Sequence, residues 1–302
     1  MTGLATLFAG LVTFATLEPA APAFALIGIT YLSATGSGAV CSRVAPCNSV
    51  NLAHAQTVEN GTIVCLDSGD FASAGITKSI TIDCTGTASS MGLIINGAGI
   101  VVTVRGVRVD GNHIDFQNGA SLAVENSLFV YGDQGILFRP SNAGATLVVT
   151  DSLFTRAGSG MTGGAIIINP QPGGSARVAI NRVTVEKSVF GIAVDGTGST
   201  AGINVTISDS VSNGNIQDGI IAVTPSGGAP IGVMVKNTKS TNNAIGIRSI
   251  GPNVTVRVSN SAVIGNGTGV IFSGGGALLS FGNNEVQANG ANGAFSGSLG
   301  LQ

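Results

Sequence analysis

The sequence predicts an all-β fold, a parallel β-helix of about ten stacked coils, each 19–31 residues long. Three observations predict it. The first is a strict repeat between Val233 and Asn289, which reads VMVKNTKSTNN, VRVSNSAVIGN and LSFGNNEVQAN. Asn237, Asn260 and Asn283 recur every 23 residues, and Asn243, Asn266 and Asn289 follow six residues behind each. A fixed interval of this size marks a stacked repeat architecture. The second is composition. Of 302 residues 46 are Gly, none is Trp, 44% are apolar and only 9% are charged. Such glycine usage supplies turns that need positive φ, and the Val- and Ile-rich apolar set favours strands. The third is connectivity. Each repeat holds short strands of period two and no helix. Parallel strands need a crossover, and here the crossover is the rest of the coil.

In chain order, residues 1–25 stand apart. Leu4 to Leu17 is an uncharged apolar run, followed by Pro19, Pro22 and Ala23-Phe24-Ala25. This reads as a secretory signal peptide cleaved before Leu26, with the terminal amine as its one positive charge. The run is shorter than the roughly 20 residues of a membrane span. No other stretch qualifies, so no integral membrane segment is expected in the mature chain.

Residues 26–61 are expected to form an N-terminal cap. Cys41 and Cys47 bracket SRVAP. One helix is expected from Asn48 to Gly61, with Asn48 or Ser49 at its start, Gly61 past its end and Val50, Leu52, Ala53 and Val58 on one face. Such a helix would cover the open end of the stack, whose core and strand edges would otherwise be bare. The β-helix itself is expected over residues 62–295, with a tail over 296–302.

The coils align on one position: Cys65, Cys84, Gly106, Asn126, Asp151, Arg182, Asp209, Asn237, Asn260 and Asn283. Two and four residues before it lie apolar residues, such as Val102 and Val104, Leu147 and Val149, Val233 and Val235. Three residues after it lies another inward candidate: Val109, Phe129, Phe154, Val185, Val263 and Val286. A Gly-apolar pair then opens a further strand, as in Gly135-Ile136, Gly191-Ile192 and Gly246-Ile247. Asn and Asp suit a left-handed turn, and stacked Asn amides can bond along the ladder. Cys65 and Cys84 fall at the same position of adjacent coils. The rung spacing of about 4.8 Å lies within the separation a disulfide requires, which pairs Cys65 with Cys84 and leaves Cys41 for Cys47.

The segments CLDSGDF and ITKSITIDC, with the turns NNAIGI, GNGTGV and FGNNEV, resemble the right-handed parallel β-helix proteins of the pectin-lyase-like class. More closely, the chain resembles exported β-helix-repeat proteins of unknown function from Gram-negative bacteria, over residues 31–295. The resemblance implies a right-handed coil, a secreted, periplasmic or cell-surface location, and a polysaccharide partner. The class includes polysaccharide lyases, hydrolases and epimerases. Their motifs are missing here: the Asn-Thr-Asp, Asp-Asp, Gly-His-Gly and Arg-Ile-Lys of polygalacturonases, the carboxylate cluster of calcium-dependent lyases, the methylesterase pattern, and the Asp-Pro-His of alginate epimerases.

Other chemistry is sparse. A net charge of −2 without a basic run excludes nucleic acid as a partner. The cysteines lack metal-ligand spacing and both His lie elsewhere, so neither a metal nor a cofactor is expected. His113, alone in VDGNHIDF, reads as a solvated turn residue. One patch stands out, four to seven residues past the aligned position. It holds Asp110, then Tyr131 and Asp133, then Arg156, then Glu186 and Lys187, and in later coils Asn213, Asn215, Asn242, Asn243, Asn266 and Asn289. Asp110, Asp133 and Glu186, with Arg156, are the catalytic candidates, because carboxylates on neighbouring rungs about 5–10 Å apart suit acid–base work on glycosides. Tyr131, Arg156 and Lys187 are the ligand-binding candidates. The plainer reading is a solvated face of ion pairs worth little individually. Asp151 and Asp209 read as turn residues. Three functions fit. The favoured one is a non-catalytic exported protein, structural or glycan-binding. The others are a polysaccharide-active enzyme and a subunit of a fibrous assembly bearing an apolar stripe. The sequence leaves the oligomeric state open.

Overall fold

A computed structural model describes residues 27–158 and 163–300; the signal-peptide reading falls outside them. The described chain is a right-handed parallel β-helix. Three sheets of 12, 8 and 10 strands wrap one core, and every strand pair between coils is parallel. The first sheet runs from Ile27–Leu32 to Gly297–Ser298, the second from Arg108–Asp110 to Glu285–Gln287, the third from Ala74–Ile76 to Ala291–Gly293.

Like stacks on like, as the period-two pattern requires. In the first sheet Leu122, Leu147, Val178, Val205, Val233 and Val256 lie in one inward column. The eight strands of the second sheet are each three residues long, with the middle side chain inward, as at Val109, Phe129, Phe154 and Val185. Phe129 and Phe154 stack with ring centroids 4.3 Å apart, and Phe116 and Phe138 of the third sheet with 4.7 Å. All four are fully buried.

Two left-handed columns run down the stack. From Gly106 to Asn260 every aligned turn residue has φ between 46° and 63°. Five residues later Gly111, Tyr131, Arg156, Lys187, Gly214, Asn242, Gly265 and Ala288 form a second column, with φ between 53° and 74°. In the last coil Ser280 pairs with Val258, so Gly282 (φ 81°) holds the aligned position expected for Asn283. One extra residue then restores the register of Val286 with Val263.

Asparagine serves the two turns differently. On the outside, Asn260 donates to Asn237 at 3.2 Å, and Asn237 donates to Asp209. Asn215, Asn243 and Asn266, expected on the outer patch, instead turn inward and are buried. Their amides donate down a ladder at 2.8, 3.0 and 2.9 Å, ending on Asn289. The left-handed residue ahead of each has already reversed the chain, so the next side chain points to the core.

The disulfides join Cys41 to Cys47 and Cys65 to Cys84, with Cα separations of 4.7 and 4.6 Å. The helix (α1, Val50–Gln56) is half the expected length. Thr57 leaves it to begin a strand, Thr57–Cys65, that pairs with Ile27–Leu32. Gly61 therefore lies within a strand rather than at a helix end. A Cβ there would meet the Gly28 carbonyl at 2.8 Å, so close backbone approach is what requires glycine. Leu52 is exposed; Val50 and Ala53 are the buried helix residues. In the expected tail Gly297–Ser298 pairs with Leu279–Ser280, continuing the first sheet.

Candidate functional site

The predicted site residues sit on and just past the second sheet. With the middle residue of each short strand inward, its neighbours point out. Asp110, Val130, Thr155 and Glu186 share one register. The next residue on three successive coils is Tyr131, Arg156 and Lys187, all left-handed. This conformation costs a side-chain-bearing residue about 1–2 kcal/mol. Ladder bonds to the next coil impose it: the Arg156 N–H donates to the Glu186 carbonyl at 3.0 Å, and that of Lys187 to Asn213 at 3.2 Å.

The structure brings the ligand-binding candidates together. Tyr131 is 59% exposed. The Arg156 guanidinium lies 5.6 Å from its ring centroid, and Arg156 Nη1 donates to Tyr131 Oη at 3.1 Å. One coil on, Lys187 Nζ lies 3.5 Å from Glu186 Oε1, which also accepts from Thr155 Oγ1 at 3.0 Å. The result is a vertical strip of one aromatic ring and two cations at successive rungs, about 4.8 Å apart.

Two of the catalytic candidates do not converge. Asp110 is held by Arg108 of its own strand, at 2.8 and 3.2 Å. Glu186 stands three rungs away, about 14 Å, beyond the roughly 9.5 Å that the widest glycosidase pairs span. Asp133 is exposed in the turn after Tyr131. Among the described residues no three His, Cys, Asp or Glu side chains form a metal-ligand set, and no helix is long and apolar enough to cross a membrane.

The sequence reading missed two Asp–Arg pairs with buried carboxylates on the outer side of the third sheet. Asp115 is 3% exposed and accepts from Arg139 at 2.8 and 2.6 Å and from Gln117 at 2.7 Å. Asp218 is fully buried and pairs with Arg248, while its Oδ1 and Arg248 Nε are without a hydrogen-bond partner. The available signal was an outward Asp with an Arg one coil later. The two carboxyls respond oppositely. Burial raises Asp115, but hydrogen bonds from Arg139 and Gln117 outweigh it and hold the group below the usual carboxylate range. Burial raises Asp218, and Arg248 offsets only part of that.

A group depressed in the fold stabilises above its unfolded value of about 3.9. That contribution disappears as pH falls through the folded value. Urea midpoints should therefore drop more steeply between about pH 5 and pH 2 in the parent than in Asp115→Asn, which keeps an acceptor for Arg139. Parallel curves would exclude Asp115 as a source of the acid sensitivity.

Between these pairs the outward column of the third sheet is apolar: Leu137, Ile167, Ala193 and Ile221. Asp115 and Arg248 interrupt it on either side, and beyond them Ile94 and Ile271 are exposed. Comparison with protein-family models, with curated proteins and with solved structures finds no match to this chain.

Proposed function

We propose that this chain is an exported, non-catalytic β-helix protein that binds a glycan along Tyr131, Arg156 and Lys187. The observation that carries the reading is an exposed tyrosine held in a strained left-handed turn with an arginine across its ring. Strain of this kind persists where surrounding structure over-determines it, and it concentrates at binding sites. The aromatic face suits the C–H surface of a sugar, while Arg156 and Lys187 offer donors to its hydroxyl or carboxylate oxygens. The scattered carboxylates favour binding over turnover. Two disulfides and the apolar run at residues 1–25 favour an oxidising compartment outside the cytoplasm. A bacterial surface or periplasmic setting rests on the resemblance described above.

Tyr131→Gly is the informative variant, because glycine removes the ring and accepts the left-handed turn without strain. It should fold with an unchanged or higher melting midpoint and lose at least about tenfold in affinity, or about 1.4 kcal/mol, for whichever glycan the parent retains on an array. Undiminished binding would reject the strip. Turnover of a polysaccharide that vanishes in Asp110→Ala or Glu186→Ala would instead establish the enzymatic alternative.

A further inference from the structure

The outer face of the first sheet changes character halfway along the stack. In the early coils its charges are matched: Arg105 pairs with Glu125 at 2.8 Å. From Ala145–Thr150 to Gly297–Ser298 no strand of this sheet contains Asp or Glu. Arg177, Lys236 and Arg257 all point outward there, and none has an ion-pair partner among the described residues. The acids in the turns directly after two of these strands are engaged, Asp151 by Arg182 and Asp209 by Asn181 and Asn237.

These cations border a depression. Stacking brings Thr146, Arg177, Asn204, Gly232 and Thr255 into one outward column. Gly232 leaves a gap in that column. A Cβ built there would have Asn204 Oδ1, at 3.2 Å, as its sole near neighbour. Arg177 and Arg257 line the resulting basin of about 500 Å³, floored by Ala179, Thr206 and Met234. Met234 and Arg257 also line a second basin of about 470 Å³, which continues along Lys236, Phe281 and Leu299. Phe281 and Leu299 are pinned by backbone bonds to Val258 and Ser280, at 3.0 and 2.8 Å. The two basins adjoin at Met234 and Arg257 along one trough; Arg177 lies in the first, Lys236 in the second, and the large apolar side chains Phe281 and Leu299 lie in the second.

We propose that this trough binds an amphiphilic anion. Its oxyanion head lies between Arg177 and Arg257, and its hydrocarbon body lies along Met234, Phe281 and Leu299. The guanidinium fork matches carboxylate, phosphate and sulfate oxygens alike, so the head is defined by charge and planar donors. The Met234, Phe281 and Leu299 side chains gain from being covered by hydrocarbon, which a sugar does not supply. With no Asp or Glu in these later strands, no strand carboxylate repels an anion or pairs with the arginines in its place. The site lies on a different sheet from the Tyr131 strip and does not depend on it.

Calorimetric titration of the mature protein with octyl phosphate, inorganic phosphate and octyl glucoside tests this, with the amphiphiles kept below micelle formation. Octyl phosphate should bind one molecule per chain, at least about tenfold tighter than either other probe. Arg177→Gln and Arg257→Gln should each weaken it by about tenfold, and Gly232→Leu should block it by filling the floor. All three substitutions are on the surface, and unchanged melting midpoints would confirm intact folds. Tyr131→Gly should leave this binding intact. Absence of octyl phosphate binding, or equal binding of octyl glucoside, would overturn the anion site. Equal binding of inorganic phosphate would overturn the amphiphile.

Discussion

Phe154→Ala is expected to destabilise the protein by about 3–5 kcal/mol. Phe154 is completely buried, and its ring lies nearly parallel to that of Phe129, at 7° and 4.3 Å. Its other face meets the next coil at Val185. Gly135 packs against this ring: a Cβ there would come within 2.6 Å of it and 2.4 Å of the Ala165 carbonyl oxygen. Removing the ring leaves a gap the stack cannot close. The flanking rungs are held at fixed spacing by ladder bonds in three sheets, so they cannot collapse inward. Urea denaturation of the mature chain measures the loss, and Phe154→Leu should recover more than half of it by refilling most of the volume. A loss below about 1 kcal/mol for Phe154→Ala would show that the core relaxes into the space.

Asn243→Ala is expected to cost about 3 kcal/mol or more, although it removes a polar group. Asn243 Oδ1 accepts from both the backbone N–H and the side-chain amide of Asn215, at 2.9 and 2.8 Å. Its Nδ2 reaches the Ser212 carbonyl, Ser240 Oγ and Asn266 Oδ1 at 3.2, 3.1 and 3.0 Å. Alanine leaves the buried Asn215 N–H without its acceptor and removes the other four bonds of this side chain. Each buried orphan costs about 1–3 kcal/mol. The outer ladder provides the control. Asn260→Gly removes a bond between exposed amides and keeps the left-handed turn, and water can replace the bond, so its cost should stay within about 1 kcal/mol. Equal losses at the two positions would show that burial of the inner ladder does not set its worth.

Much of this architecture was legible because stacking turns sequence distance into spatial distance. Cys65 and Cys84, one coil apart, become neighbours at 4.6 Å for the same reason that Val149 lies over Ile180. The aligned turn was legible too, since Asn, Asp and Gly dominate it and tolerate positive φ. The second turn was not. Tyr131, Arg156, Lys187 and Ala288 adopt the same left-handed geometry, yet none of these residue types announces it. Their strain is offset by hydrogen bonds to the next coil, which no local pattern displays. That hidden turn is also why Asn243 and Asn266 were expected outside and lie inside. Gly61 misled in the opposite way: it has the look of a helix end, but strand pairing with Ile80 decides its place.

The sequence alone determined the fold class, the period of the coils, the inward positions of each strand and the cysteine pairing. The first three follow from a repeated local preference that every coil states again, so errors in one coil are corrected by the next; the pairing of Cys65 with Cys84 follows from the same alignment. Tertiary structure alone decided which polar residues meet. The candidate carboxylates Asp110 and Glu186 proved too far apart to act together, because register places them three rungs from each other. Arg177 and Arg257, far apart in the chain, border one trough because stacking places them across the gap at Gly232. A repeat specifies its backbone many times over, whereas each outward side chain is specified once, and its partners depend on the rungs above and below it.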